Sequence, residues 1–285
     1  MKPCTVFVSV NFDAEVLDLK STTEDRLYGR FSYGRYGVRA GLPRLAAMLA
    51  RRGIPATVFV TTADATRHAD AIRMLRDAGH EIASRGADLA PLPTLGEGER
   101  DVLAKARDAL AAITGSAPAG FRAPGGELGP QSLRLLAELG YTYDSSFQDD
   151  DHPYLFAPTA STRIAELPTV HALDDSLSFS ARHTHARVFK VWREEFDVLH
   201  REGCMVPFTL HLRGDVGSTR AARIAALEEL LAYVASRPGV RFMTGKDIAA
   251  ATLASGMAPE GDPHAPHQST LAVTPYRGDL AVKPH

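Results

Sequence analysis

Short runs rich in β-branched and aromatic residues alternate along this chain with longer stretches in which apolar residues recur every three or four positions. The first pattern predicts strands over Thr5–Phe12, Ala56–Thr61, Glu81–Ser84, Gly120–Arg122, Thr142–Ser145, Ile164–Leu167, Met205–His211 and Val240–Met243. The second predicts helices between them. Leu42–Arg52, Asp70–Ala78 and Gln131–Leu139 are each followed by a glycine (Gly53, Gly79 and Gly140), suited to the left-handed turn that ends a helix. Thr94, with Glu97 three positions on, reads as a capping box opening a helix that runs to Ile113. Arg187–Arg201 holds the one tryptophan, Trp192. In Ala221–Ser236, Ile224, Leu227, Leu231 and Val234 share one face, and Pro238-Gly239 stops the helix.

Strand–helix units in this order predict an α/β protein with a mostly parallel sheet. At 285 residues, the economical closure is a single distorted (β/α) barrel of seven or eight strands, a fold that takes about 250 residues. A doubly wound open sheet is the alternative. It wants a glycine-rich phosphate loop after an early strand, whereas Asn11-Phe12-Asp13-Ala14-Glu15 is acidic and lacks glycine, which disfavours a dinucleotide site. The barrel is expected over residues 1–256. Residues 257–285 are rich in Pro, His and Gly without any period and read as a flexible tail. A metal- or partner-binding role for His264, His267 and His285 is the rival reading of that tail.

Composition narrows the function classes. Apolar residues are 45% and charged residues 23%, as in ordinary globular proteins. With 32 Lys and Arg against 34 Asp and Glu, the net charge of -2 gives no global attraction to nucleic acid or an anionic membrane. Cys4 and Cys204 form no Cys-x-x-Cys or Cys/His cluster, so neither a zinc ribbon nor a disulfide framework is expected. Val6–Val10 is too short for a signal-peptide core, and no apolar run approaches the roughly 18 residues of a membrane span. The expectation is a cytoplasmic protein with a small-molecule substrate and no cofactor; homo-oligomerisation stays open.

In a barrel, function gathers at the C-terminal ends of the strands. The first strand delivers Asn11, Asp13 and Glu15, all on one side if the chain stays extended. The third delivers Arg85 and, just beyond, Asp88; the fourth delivers Arg122; the fifth delivers Asp144, Ser145 and Ser146. His171, Asp174 and Asp175 follow the sixth, and His211 ends the seventh. Taken singly, each has a plain structural reading. A lone Asp or Arg caps a helix or forms a salt bridge, Asp174-Asp175 opens a helix, and His211 is a satisfied core histidine. Convergence of acids, arginines and a histidine from separate strands on one barrel mouth favours a functional site.

These residues carry a resemblance. The stretches Ser9-Val10-Asn11-Phe12-Asp13-Ala14-Glu15, Ser32-Tyr33-Gly34-Arg35-Tyr36-Gly37, Gly53-Ile54-Pro55-Ala56-Thr57-Val58-Phe59-Val60, Ala78-Gly79-His80-Glu81-Ile82-Ala83-Ser84, Gly120-Phe121-Arg122-Ala123-Pro124 and Tyr143-Asp144-Ser145-Ser146, with Leu173-Asp174-Asp175 and Leu210-His211 followed by Arg223-Ile224, resemble the polysaccharide deacetylase (NodB-homology, carbohydrate esterase 4) superfamily. They are most similar to the branch containing cyclic imidases, the metal-independent type of allantoinase and certain peptidoglycan deacetylases. The resemblance implies a distorted (β/α) barrel and hydrolysis of a non-peptide C–N bond in an amide, acetamide or cyclic imide. It also implies a divalent ion held by one Asp and two His, a set this chain lacks. Asp13 stands at the Asp position, but Arg85 and Leu89 stand at the two His positions, and Asn11 stands where the catalytic-base Asp is found. A catalytic zinc site needs three protein ligands and an open position, so no metal is expected. Two readings of Arg85 follow: a fixed positive charge replacing the ion and offering donors to an oxyanion, or mere neutralisation of Asp13 in a decayed pocket.

The leading expectation is a metal-independent hydrolase of a small cytosolic molecule. His211 is its general acid/base, because imidazole titrates near neutrality. Asp174 or Asp175 orients it, Arg85 and Arg122 stabilise negative charge, and Glu15 is the remaining candidate base if Arg85 holds Asp13. Asn11, Asp88 and His171 are expected to contact substrate. A non-hydrolytic biosynthetic enzyme (lyase, isomerase or cyclase) and a catalytically silent binding or scaffold protein are the alternatives, because a fold does not fix a function.

Overall fold

The computed structural model describes residues 3–21 and 28–260. Its strands are β1 (Cys4–Phe12), β2 (Thr57–Val60), β3 (Glu81–Ser84), β4 (Gly120–Phe121), β5 (Tyr143–Asp144), β6 (Tyr154–Phe156), β7 (Ile164–Glu166), β8 (Val206–His211) and β9 (Val240–Met243). They form one curled sheet in the order β6-β7-β5-β4-β3-β2-β1-β8, with β9 also paired to β1. Every pairing is parallel except β6 with β7. β1 is the hub. Ser9–Phe12 pairs with β2, Cys4–Phe7 with β9, and Val6–Asn11 with β8. The segment that follows β7 reaches β8 through an isolated bridge, Asp174 with Thr209. The (β/α) barrel is therefore distorted, and the segment carrying Asp174 lies in its seam.

The helices are α1 (Val16–Ser21), α2 (Tyr28–Tyr36), α3 (Leu42–Arg52), α4 (Thr62–Arg67), α5 (Ala69–Asp77), α6 (Glu99–Thr114), α7 (Ser132–Glu138), α8 (Asp175–Ser180), α9 (His185–Glu202), α10 (Ala221–Ala235) and α11 (Gly245–Ala254). The capping box at Thr94 does not form. Thr94 Oγ1 donates to the carbonyl of Pro91, two short 3-10 turns follow, and α6 starts only at Glu99. Gly96 and Gly98 in that stretch favour turns over the first turn of an α-helix. β6, a three-residue antiparallel strand, was not legible from the apolar pattern. Among the described residues no helix is long and apolar enough to cross a membrane. Of the expected tail, Met257 packs on the inner core and Glu260 N donates to Leu155 O, bridging β6; residues 261–285, with His264, His267 and His285, lie outside the described residues.

The two-residue period of the strands decides which side chains can do chemistry. In β1, Val6, Val8, Val10 and Phe12 point outward, joining Val58, Val60, Val206, Phe208 and Leu210 under α3, α9 and α10. Trp192 of α9 is fully buried there and stacks on Phe208, with ring centroids 5.2 Å apart. The alternate residues point inward, so Phe7 and Phe59 meet edge-to-face inside the barrel at 6.5 Å, and Phe59 meets Tyr143 at 6.4 Å. Below them, Tyr143 Oη donates to Glu81 Oε1 and Thr57 Oγ1 donates to Glu81 Oε2, each at 2.8 Å. Burial raises the Glu81 carboxyl above its ordinary range. Gly120 is required here, because a Cβ on it would lie 1.8 Å from Tyr143 Cζ. This apolar plug closes one end, and the same inward parity raises Ser9, Asn11, Thr209 and His211 at the other.

Candidate active site

Arg122 lies on the aromatic floor, its guanidinium carbon 4.1 Å from the Phe59 ring centroid and 6.0 Å from that of Phe7. Nη1 donates to Ser9 Oγ at 2.9 Å and Asn11 Oδ1 at 3.1 Å; Nε donates to Ser145 O at 3.0 Å and Nη2 to Ser145 Oγ at 2.8 Å. Burial, then the neighbouring charge of Arg85, pull this guanidinium down to about 10, still protonated at neutral pH. Arg122 is therefore a fixed scaffold cation whose donors are largely committed.

His211 is held from both sides. Its Nδ1 lies 2.8 Å from Asp175 Oδ1, and its Nε2 lies 2.9 Å from Asn11 Nδ2. Asp175, fully buried, also accepts from the backbone N–H groups of His211 (3.2 Å) and Ser218 (2.7 Å). Arg122 settles the proton positions. Its Nη1 can only donate, so the Asn11 oxygen faces it and the Asn11 amide N–H faces His211. Nε2 is then the acceptor, and Nδ1 carries the proton to Asp175. Burial opposes an imidazolium here, but the hydrogen bond and charge of Asp175, with Asp174 and Asp13 behind, prevail and raise His211 above its ordinary value. Burial raises Asp175 too, against the pull of His211. Asn11→Asp would place an oxygen on each side, one accepting from Arg122 and the other from His211. The His211 pKa should then rise by about 1–2 units, read by NMR titration of the imidazole; an unchanged value would refute the assigned hydrogen-bond direction.

Arg85 Nε donates to Asp13 Oδ1 at 2.9 Å, with both side chains at least nine-tenths buried. This is the position where the resemblance places a divalent ion, and the residues present do not fit one. Asp13 is engaged by a guanidinium, and Leu89 offers no donor. Leu89 also sits at φ 68°, a left-handed conformation that costs a leucine about 1 kcal/mol or more. Among the described residues, two other groups bring ligating atoms within 4.8 Å of one another, Glu15–Asp64–His68 and Asp174–Asp175–His211. Both are already hydrogen-bonded within themselves or to backbone.

The cavity over these groups has a volume of about 220 Å³ and is lined by Asn11, Arg85, Arg122, Ser145, His171, Asp174 and His211 among others. Asp174 joins it through its cap on α8, where it accepts from Ser176 N, Ser176 Oγ and Leu177 N. His171 also lines an outer hollow with Asp149, Asp150 and Asp151. Glu15 and Asp88 do not line the cavity. β1 ends at Phe12, and the Asp64 carboxylate, accepting from Ala14 N and Val16 N, bends the chain there. The expected one-sided run from Asn11 to Glu15 is thereby broken, and Glu15 meets His68 Nε2 at 2.6 Å instead. Burial lifts Asp64 to about 6. Asp88 accepts from Ala90 N within its own loop. Ser9, Thr209 and Ser218 were not singled out from the sequence. Their signal was strand parity for the first two, and none for Ser218, which reaches Asp175 through its backbone N–H.

Comparison with known proteins adds to this geometry. The family model described as polysaccharide deacetylase matches residues 20–143. A solved structure from Mycobacterium smegmatis that carries the polysaccharide deacetylase name is 33% identical, with a TM-score of 0.84 over 91% of this chain and 93% of its own. The structure of Puue allantoinase is 28% identical, with a TM-score of 0.77 over 87% of this chain and 90% of its own. The peptidoglycan deacetylase of Helicobacter pylori is 26% identical over 254 residues, covering 76% of this chain and 85% of the relative.

Proposed function

Because this chain belongs to the polysaccharide deacetylase family, we propose that it hydrolyses a non-peptide C–N bond of a small molecule, an amide, acetamide or cyclic imide, without a divalent ion. The observation that carries the metal-free part is the buried Arg85–Asp13 pair at the position where the family resemblance places the metal. The observation that supports hydrolysis beside it is the His211–Asp175 pair at the edge of the same cavity. A cavity of about 220 Å³ suits a small substrate or one small end of a larger one.

In this reading His211 moves the proton. Its neutral form carries hydrogen on Nδ1, so Nε2 can take a proton from water once the Asn11 amide gives way, and Asp175 stabilises the imidazolium that results. Asn11 cannot accept a proton, so no carboxylate base stands at that position. Arg85 supplies fixed positive charge for the acyl oxygen, and Arg122 holds Asn11 and Ser145 in place.

The test is release of amine or carboxylate from acetamides and cyclic imides by the purified chain, with and without a chelator. Turnover that survives chelation supports the reading, and no turnover of either class overturns it. Elemental analysis should find no stoichiometric divalent metal at Asp13; about one equivalent of zinc, lost in Asp13→Ala, would refute the metal-free assignment.

A further inference from the structure

Arg85 leaves most of its donors unused. Nε is bonded to Asp13, and among the described residues Nη1 and Nη2 make no hydrogen bond to the protein. Yet the side chain is only 10% exposed and faces the cavity. Neither Nη nitrogen is sealed within protein, so their N–H groups are satisfied by what fills the cavity, water or a ligand. Arg122, beside it, shows the contrast, with Nε, Nη1 and Nη2 all bonded to protein oxygens.

Among the described residues, Asp13 is the one carboxylate that hydrogen-bonds Arg85. Asp13 occupies its Nε side, Asp174 Oδ1 accepts from the start of α8, and Asp175 lies behind the imidazole. What remains is a planar edge of N–H groups pointing into a small space, the complement of two oxygens on one carbon.

We propose that the Nη1–Nη2 edge of Arg85 is a receptor for a small carboxylate, the acyl product of the reaction. The inference rests on the hydrolytic reading above. Water adds its oxygen to the acyl carbon while one of its protons passes to His211 Nε2. The C–N bond then breaks, its electron pair leaves with nitrogen, and nitrogen takes the proton from His211. The remaining acidic proton is lost to solvent, and the products are an amine and a carboxylate with one oxygen from substrate and one from water. A substrate carbonyl offers the Arg85 edge one neutral acceptor, whereas the carboxylate offers two that share a negative charge. The site therefore binds its acid product more tightly than the matching amide and is inhibited by it.

The experiment is an NMR titration of the full chain with sodium acetate, using acetamide as the neutral control at constant ionic strength. The readouts are the Arg85 side-chain N–H and His211 ring signals. Acetate should bind saturably, at least about tenfold more tightly than acetamide. Arg85→Gln should remove that preference while circular dichroism shows the fold retained. Arg85→Lys, which keeps charge but not the planar edge, should fall between. Equal affinity for the two probes, no acetate binding, or an unchanged preference in Arg85→Gln overturns the proposal. Hydrolysis of a neutral amide without acetate binding would overturn this inference alone. Acetate binding through Arg85 with no C–N hydrolysis would instead overturn the hydrolytic reading and leave the carboxylate receptor standing.

Discussion

His211→Ala should lower turnover by about 10²- to 10⁴-fold at equal folded fraction, with the barrel intact. Its Nε2 faces the cavity edge, and no other imidazole among the lining residues is backed by a buried carboxylate. The comparison must be made per folded molecule, because a loss of one or two kcal/mol in stability lowers abundance and mimics catalytic loss. A core histidine would behave oppositely, lowering the melting temperature and sparing turnover. The pH profile adds a second reading. Asp175 holds the His211 pKa above its ordinary 6.5. If the neutral imidazole is the working base, kcat/KM should fall on the acid side through a pKa above 6.5. A profile flat through that range would remove His211 from the reaction.

The barrel was legible because its strands obey local rules. β3 and β9 lie where the apolar pattern placed them, and the bounds of β1 and β8 move by one residue at their starts. Their β-branched outward faces must be covered by helices, which is what makes them visible in a sequence. β6 was invisible because three residues are too few to show a period, and α6 began late because two glycines outweighed a capping signal. The site was half legible. Which residues stand at strand ends follows from position, so Asn11, Arg85, Arg122 and His211 were found together. Glu15 was misplaced because extending β1 past Phe12 ignored Asp64, a residue fifty positions away whose carboxylate turns the chain. The choice between Asp174 and Asp175 was equally closed to sequence. Both are acids at the start of a helix, and only the three-dimensional arrangement assigns Asp174 to the cap and Asp175 to the imidazole.

The hydrogen bonds of the site run in one direction, and that direction yields a prediction that pairwise contacts do not. Arg122 donates to Asn11, Asn11 to His211, and His211 to Asp175. Asp175 Oδ2 must remain an oxygen, because two backbone N–H groups point at it. In Asp175→Asn the new amide nitrogen is therefore forced to face His211 Nδ1. The imidazole must then carry its hydrogen on Nε2, where it meets the N–H of Asn11 head-on. Two buried donors face each other and neither finds an acceptor, at a cost of about 1–3 kcal/mol. The loss of the carboxylate's support should also move the acid limb of the pH profile down. Turning Asn11 over does not help, since its nitrogen would then face Arg122. Asn11→Asp does help: a carboxylate there accepts from Arg122 on one side and from His211 Nε2 on the other. The double variant Asn11→Asp, Asp175→Asn should thus be more stable than the sum of the two single changes allows, with a coupling of about 1–3 kcal/mol in denaturant unfolding. Its His211 tautomer should be inverted, with hydrogen on Nε2 in long-range nitrogen–proton NMR spectra. Additive losses, or a tautomer unchanged from the wild type, would show that Arg122 does not set the direction of these hydrogen bonds.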